Sequence, residues 1–160
     1  MSIEILTSTN LQHFIDTHHI EATILPMDQH TPTVPDAARA LGVETEQIIK
    51  SLVFLVKGEP LLVVNNGLAK VDQRKVAAYL NVGRKRVKFA NAAQALDITG
   101  YVVGSMPPFG HRQKLRTLLD PAITEWAVIF GGGGDIDAML RLTPGVLLRV
   151  TGAEVVAVGE

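Results

Sequence analysis

Three groups of residues in this 160-residue chain have the types and spacing to do chemistry. The first is Gly104-Ser105-Met106-Pro107-Pro108-Phe109-Gly110-His111. Two prolines inside a pair of glycines fit neither a helix interior nor a central strand, because proline fixes φ and has no N–H to donate. Such a stiff segment can hold backbone N–H and C=O groups against a ligand, and it serves equally well as a structural turn. The second is Lys50, at the mouth of the apolar run Ile48-Ile49-Lys50-Ser51-Leu52-Val53-Phe54. Its ammonium can pair with a phosphate or carboxylate as a point charge, or merely snorkel from a strand end. The third is Gly131-Gly132-Gly133-Gly134, followed by Asp135 and Asp137. A glycine run after a buried strand allows a ligand or another backbone to approach closely.

Familiar alternatives fail on composition and spacing. The glycine run is followed by aspartate rather than Lys-Ser/Thr, so it is no Walker A loop, and no Gly-x-Gly-x-x-Gly marks a dinucleotide site. The absence of cysteine removes disulfides, a thiolate nucleophile and thiolate zinc sites. His13, His18, His19, His30 and His111 have no metal-binding spacing, and no Gly-x-Ser-x-Gly elbow is present. No metal or other cofactor is expected. His111, directly after the proline loop, reads either as a polar group beside a reacting ester or as a residue bonding loop backbone.

The elements that must position these residues can be read in turn. Leu11, Phe14 and Ile15 give helical spacing over Ser8–His19, with Ser8 or Thr9 as cap. Ala22–Leu25 reads as a strand closed by Pro26, and Asp36–Leu41 as a helix between Pro35 and Gly42. Thr45 starts a further helical turn. Ile48–Val56 and Leu61–Val64 form a hairpin around the turn Lys57-Gly58-Glu59-Pro60, with Asn65-Asn66-Gly67 ending the second strand not far from Lys50. Asp72 caps a helix to Leu80, Arg84–Phe89 reads as a basic strand, and Asn91 caps a helix over Ala92–Leu96. Tyr101-Val102-Val103 leads into the proline loop as a strand, and Leu115–Leu119 reads as irregular. Glu125–Phe130 and Glu154–Val158 read as strands, Ile136–Leu142 as strand or helix with the alternation of Ile136, Ala138 and Leu140 favouring strand, and Thr143-Pro144 opens a helix ending at Gly152.

Many short strands mixed with helices predict an α+β or mixed α/β chain, and the length suits one domain, residues 1–160. Hydrophobic residues make up 47% of it and aromatics 5%, so the core must be built from Val, Leu, Ile and Ala. A formal net charge of -1 argues against bulk capture of long nucleic acid, DNA included, yet permits recognition of one end of an RNA. No leader or membrane-length apolar run is apparent, so a soluble cytoplasmic protein is expected.

Taken together, Ile49-Lys50-Ser51-Leu52-Val53-Phe54, the Gly104–His111 loop, the Gly131–Gly134 run and the stretch from Leu142-Thr143-Pro144 to Ala153-Glu154-Val155-Val156 resemble the YbaK/ProX superfamily. These are aminoacyl-tRNA deacylases related to the editing insertion domain of bacterial prolyl-tRNA synthetase. The resemblance runs from about Ile20 onward, in the family's order. It implies a central, curved, largely antiparallel sheet flanked by helices, with the pocket at one side. It also implies trans-editing, the hydrolysis of the ester joining a wrong, small amino acid to tRNA.

By position, Lys50 matches the family lysine that holds the phosphate of the terminal adenosine. Gly104 to Gly110 match the Gly-x-x-x-Pro loop around the ester carbonyl and the amino group. The resemblance therefore assigns Lys50, Gly104 and Gly110 to catalysis. It assigns Met106, Pro107, Pro108, Phe109, His111, Gly132, Gly133 and Asp135 to substrate binding. Several proline-editing relatives carry a histidine in the region of Asp135. Ile49, Phe54 and Val103 join Met106 and Phe109 as expected wall residues. The implied partner is the 3′ acceptor end of a mischarged aminoacyl-tRNA, tRNA-Pro above others, with a synthetase as a possible companion. A binding module that grips a nucleotide or tRNA end without turnover is the alternative.

Overall fold

The fold starts from one hairpin. Strand β2 (Ile49–Val56) pairs antiparallel with β3 (Glu59–Asn66) from Ile49↔Asn66 to Val56↔Glu59. The turn is shorter than the sequence suggests: Lys57 and Gly58, with φ of 52° and 81°, make a two-residue connection with two left-handed residues, which matches the strand twist. Pro60 therefore lies within β3, where it is tolerated because the next strand pairs with β3 only from Leu62 onward. This computed structural model describes residues 4–28, 31 and 33–160, so His30 lies outside the described residues.

Alternation along the hairpin separates two apolar layers. Ile49, Val53, Leu62 and Val64 enter the larger core. There they meet α1 (Ser8–Thr17), α4 (Ala92–Thr99) and α5 (Pro144–Thr151) through Leu11, Ile15, Ala95 and Leu147. Phe54, Leu61 and Val63 face α3 (Gln73–Leu80), with its Val76 and Ala77. The hairpin is extended by β4 (Val87–Phe89) beside β2 and by β5 (Thr117–Leu119) and β8 (Glu154–Val155) beside β3, in the order β4-β2-β3-β5-β8. A second sheet, β1-β7-β6, is antiparallel and is made of β1 (Thr23–Pro26), β6 (Ile129–Gly132) and β7 (Ala138–Leu142). Helix α2 (Val34–Leu41) packs over it through Ala37, Ala38, Phe130 and Met139. A parallel bridge from Ile48 to Phe130 joins the sheets. The expected α+β class is thus observed, with two sheets in place of one and with parallel β3·β5 and β5·β8 pairs.

Several local expectations give way to stronger constraints. Leu115–Leu119, read as irregular, contains β5, buried on both faces and so without alternation to detect. Tyr101–Val103 is not a strand: Gly100 ends α4 with φ 88°, Tyr101 is buried, and Val102 and Val103 are exposed. Of Arg84–Phe89, the first three residues make a 3₁₀ turn and only Val87–Phe89 pair with β2. Thr7, not Ser8 or Thr9, caps α1, and β6 begins at Ile129 because Pro121–Glu125 form a 3₁₀ turn. Asp120 ties the C-terminal segment down by accepting from the N–H groups of Val158 and Gly159 at 3.0 and 2.9 Å. Among the described residues no helix is long and apolar enough to cross a membrane.

The glycine run earns its composition by packing. A Cβ on Gly132 would lie 2.2 Å from the carbonyl oxygen of Met106, and one on Gly133 would lie 2.6 Å from the carbonyl carbon of Ala138. Gly134 has φ 94°, faces Ser8, and donates to the carbonyl of Ser105 at 2.9 Å. The run is therefore a seat for the proline loop and for the start of α1. Gly132→Ala should lower stability by about 2 kcal/mol, since overpacking against backbone cannot be relieved by a rotamer change. Gly145→Ala, where a Cβ meets nothing within 4 Å, should be neutral or slightly stabilising. Urea unfolding of both variants checks this, and equal midpoints would contradict it.

Candidate functional site

A cavity of about 220 Å³ opens beside β2, bordered by Ile49, Lys50, Ser51, Val53, Val103, Gly104, Met106 and Gly132. Its position follows from strand pairing. On the edge of β2 away from β3, Ala90 donates to the carbonyl of Val53 at 3.0 Å, and β4 pairs only with Phe54 to Val56. At the other end of that edge, Ile48 bridges to Phe130. Between these contacts the edge has no strand neighbour among the described residues. Because Val53 presents its carbonyl there, the two-residue alternation places the N–H and C=O of Ser51 there too.

Opposite this edge stands the first half of the proline loop. Gly104 takes φ 99° and is exposed, whereas Ser105 and Met106 are buried. The N–H of Ser105 donates to the carbonyl of Val102, its hydroxyl to the same carbonyl at 2.8 Å, and its own carbonyl accepts from Gly134. Among the described residues the N–H groups of Gly104 and Met106 are engaged by no acceptor. They are thus available as donors at the cavity wall.

Lys50 leaves β2 on the face opposite Ile49 and Val53, and its ammonium donates to the carbonyl of Ala69 at 2.9 Å. Asn65, its cross-strand partner, donates from Nδ2 to the same oxygen at 2.9 Å. Partial burial lowers the ammonium's pKa from its ordinary value. An ammonium has three donors, so among the described residues two remain beyond the bond to Ala69. Asn66 bonds the carbonyl of Glu46 at 2.8 Å and so fixes the strand end.

The other residues expected in the site are arranged differently. Pro108, Phe109, Gly110 and His111 border a separate cavity of about 450 Å³, between the second half of the loop and α1 and α5. Pro107 is buried, and its carbonyl accepts from His111 Nε2 at 2.8 Å, which places a proton on Nε2. Tyr101 stands edge-on to that ring and donates to the carbonyl of Gly110 at 3.2 Å. Gly133 is buried beneath Ala138, away from the first cavity. The carboxylate of Asp135 accepts from Ser8 N–H at 3.0 Å and from the Ser8 hydroxyl, holding the first turn of α1. Phe54 packs in the layer under α3 and borders neither cavity. Lys50, Gly104, Met106, Gly132, Ile49 and Val103 are therefore the expected residues that come together. Thr33, the N-cap of α2, and Ala37 also border the cavity and were not foreseen, as nothing in a capping motif points to a pocket. Among the described residues no three His, Asp or Glu side chains converge as a metal-binding group.

Burial pushes His111 down to about 4, with the Pro107 bond opposing the shift weakly. In the unfolded chain an imidazole titrates near about 6.5. The stability associated with the neutral ring is complete above that value and is lost as pH falls from about 6.5 towards about 4, where only the unfolded chain takes up the proton. The loss should be on the order of 3 kcal/mol. His111→Gln should flatten unfolding free energy against pH across this window, and an unchanged slope would contradict a buried neutral ring.

Comparison with known proteins identifies the family. Residues 28–150 match the family model described as an aminoacyl-tRNA editing domain. The multifunctional Ser/Thr-tRNA deacylase ProXp-y of Escherichia coli (strain K12) is 30% identical over 118 residues, 72% of this chain and 71% of that protein. A proline–tRNA ligase of Limosilactobacillus fermentum is 37% identical over 93 residues, which are 55% of this chain but 16% of that enzyme. A crystal structure of a protein proposed to be a trans-editing enzyme for prolyl tRNA synthetase superposes with a TM-score of 0.88, at 29% identity and covering 96% of each chain. The chain belongs to the aminoacyl-tRNA editing domain family.

Proposed function

We propose that this protein is a trans-acting aminoacyl-tRNA deacylase that hydrolyses the ester of a small mischarged amino acid, with tRNA-Pro as the carrier. Alanine is the leading amino acid, and serine, threonine, cysteine or a small non-protein residue fit the same reasoning. The observation that carries this reading is the cavity of about 220 Å³ between the open edge of β2 and the unengaged N–H groups of Gly104 and Met106. Its size suits an aminoacyl group, being below the range of pockets that enclose larger ligands.

An aminoacyl ester is already activated, so its hydrolysis needs positioning and stabilisation of the developing oxyanion more than a strong nucleophile. The N–H groups of Gly104 and Met106 supply donors on one side. The carbonyl of Ser51 supplies an acceptor for the substrate ammonium on the other. Water attacks the ester carbonyl, oriented by the loop and the ribose 2′-hydroxyl, and the ribose 3′-oxygen leaves. Lys50 holds the phosphate of the terminal adenosine, and Ile49, Val103 and Met106 limit side-chain size in the manner of a second sieve. Gly110, by contrast, supports the loop through its carbonyl bond to Tyr101.

Incubation of the purified protein with tRNA-Pro carrying alanine, serine, cysteine or proline tests the proposal. The small mischarged esters should be lost far faster than their spontaneous rate, and prolyl-tRNA should be spared. If no ester is cleaved above the spontaneous rate, the protein is a binding module and the proposal fails. Lys50→Met should lower kcat/KM by about 100-fold, as for loss of one positioned electrostatic contact, while the urea midpoint moves little. Unchanged kcat/KM would remove Lys50 from the site.

A further inference from the structure

The chain is nearly neutral overall, yet Arg84, Lys85, Arg86 and Lys88 place four cations within five residues. All four are exposed. Among the described residues none is in an ion pair, whereas Arg39, Arg116 and Arg149 each have a carboxylate partner. The rest of the chain is net acidic, so this one segment dominates the local field.

Its place in the fold gives the patch a direction. The 3₁₀ turn Arg84–Arg86 runs straight into β4, and Phe89 and Ala90 at the far end of that segment border the cavity. Lys88 pairs with Leu55, so alternation puts it on the same face of the sheet as Val53, which borders the cavity. At the hairpin tip the N–H of Lys57 donates to the carbonyl of Arg86, which anchors the turn. Six residues of chain span at most about 20 Å, so the whole patch lies within the first few nucleotides of anything entering the cavity. Phe89 is 56% exposed and stands edge-on to Phe54, with centroids 5.2 Å apart. Cations beside an exposed aromatic ring are a surface composition that holds RNA, by phosphate contacts and base stacking.

We infer that Arg84, Lys85, Arg86 and Lys88 form the track that receives the phosphates at the acceptor end of the RNA whose aminoacyl group enters the cavity, with Phe89 as its apolar margin. This rests on the proposed deacylase reading, and it assigns RNA binding to a surface separate from the pocket that handles the ester. Carrying the cations at one edge reconciles a near-neutral protein with a polyanionic substrate, because the field acts over about one Debye length.

The test uses the full chain and the triple variant Arg84→Glu, Lys85→Glu, Arg86→Glu with two substrates, alanyl-tRNA-Pro and 3′-O-alanyl-adenosine, which lacks the RNA body. With the tRNA, KM should rise at least tenfold with kcat little changed. The dependence of log(kcat/KM) on log salt should flatten by about 2 to 3. Hydrolysis of alanyl-adenosine should stay as in the parent. Equal kinetics and salt slope on the tRNA would overturn the inference, as would an equal loss on both substrates, which would put the patch inside the pocket. If the parent cleaves neither substrate, the deacylase reading falls, and retention of uncharged tRNA-Pro still decides the surface. Weaker retention by the variant supports the track, and equal retention overturns it.

Discussion

Everything at the site depends on one backbone contact, the close approach of Gly132 to the carbonyls of Ser105 and Met106. A side chain at Gly132 would occupy the space that the loop fills. With the glycine in place, the loop lies flat on the end of β6, and Gly134 closes the contact by donating to Ser105. The prolines then stiffen what the glycines have seated. This explains why the loop and the glycine run, far apart in sequence, are both needed. One is the wall, and the other is the surface against which the wall is set.

The sequence made the wall legible but not its support. A proline loop announces rigidity, and Lys50 in an apolar strand stands out as either a ligand contact or a snorkelling side chain, because both break local rules. The glycine run breaks a rule too, yet composition cannot distinguish a run that cradles a ligand from one that admits another backbone. Asp135 and His111 carry the same ambiguity. Both are polar residues near the site, and in the structure each is consumed by a structural hydrogen bond, to Ser8 and to Pro107. Strand β5 was illegible because a short strand covered on both faces carries no periodicity. Thr33 and Ala37 reach the cavity only through the tertiary placement of α2.

The loop also divides labour along its length. Its first half meets the cavity beside β2, while its second half, from Pro108 to His111, leans on α1 through Phe109, which tilts over Phe14 at 5.8 Å, and is braced by Tyr101. The unengaged backbone N–H groups of Gly104 and Met106 are thus kept at one end. The other end is held by apolar packing and by a ring kept neutral through burial. A site that acts through main-chain donors gains its precision from this bracing, since a main-chain donor is only as well placed as the segment that carries it.

The cavity is, in architectural terms, a missing strand. An unpaired edge ordinarily invites another chain to add itself to the sheet, and proteins suppress this with charges, bulges or brevity. Here brevity does it: Phe130 covers one end of the edge and Ala90 the other, leaving about one residue's pair of hydrogen-bonding groups at Ser51. A gap of that length is shorter than an ordinary strand. Strand pairing therefore sets the length of open edge beside the cavity before any side chain in the pocket is chosen.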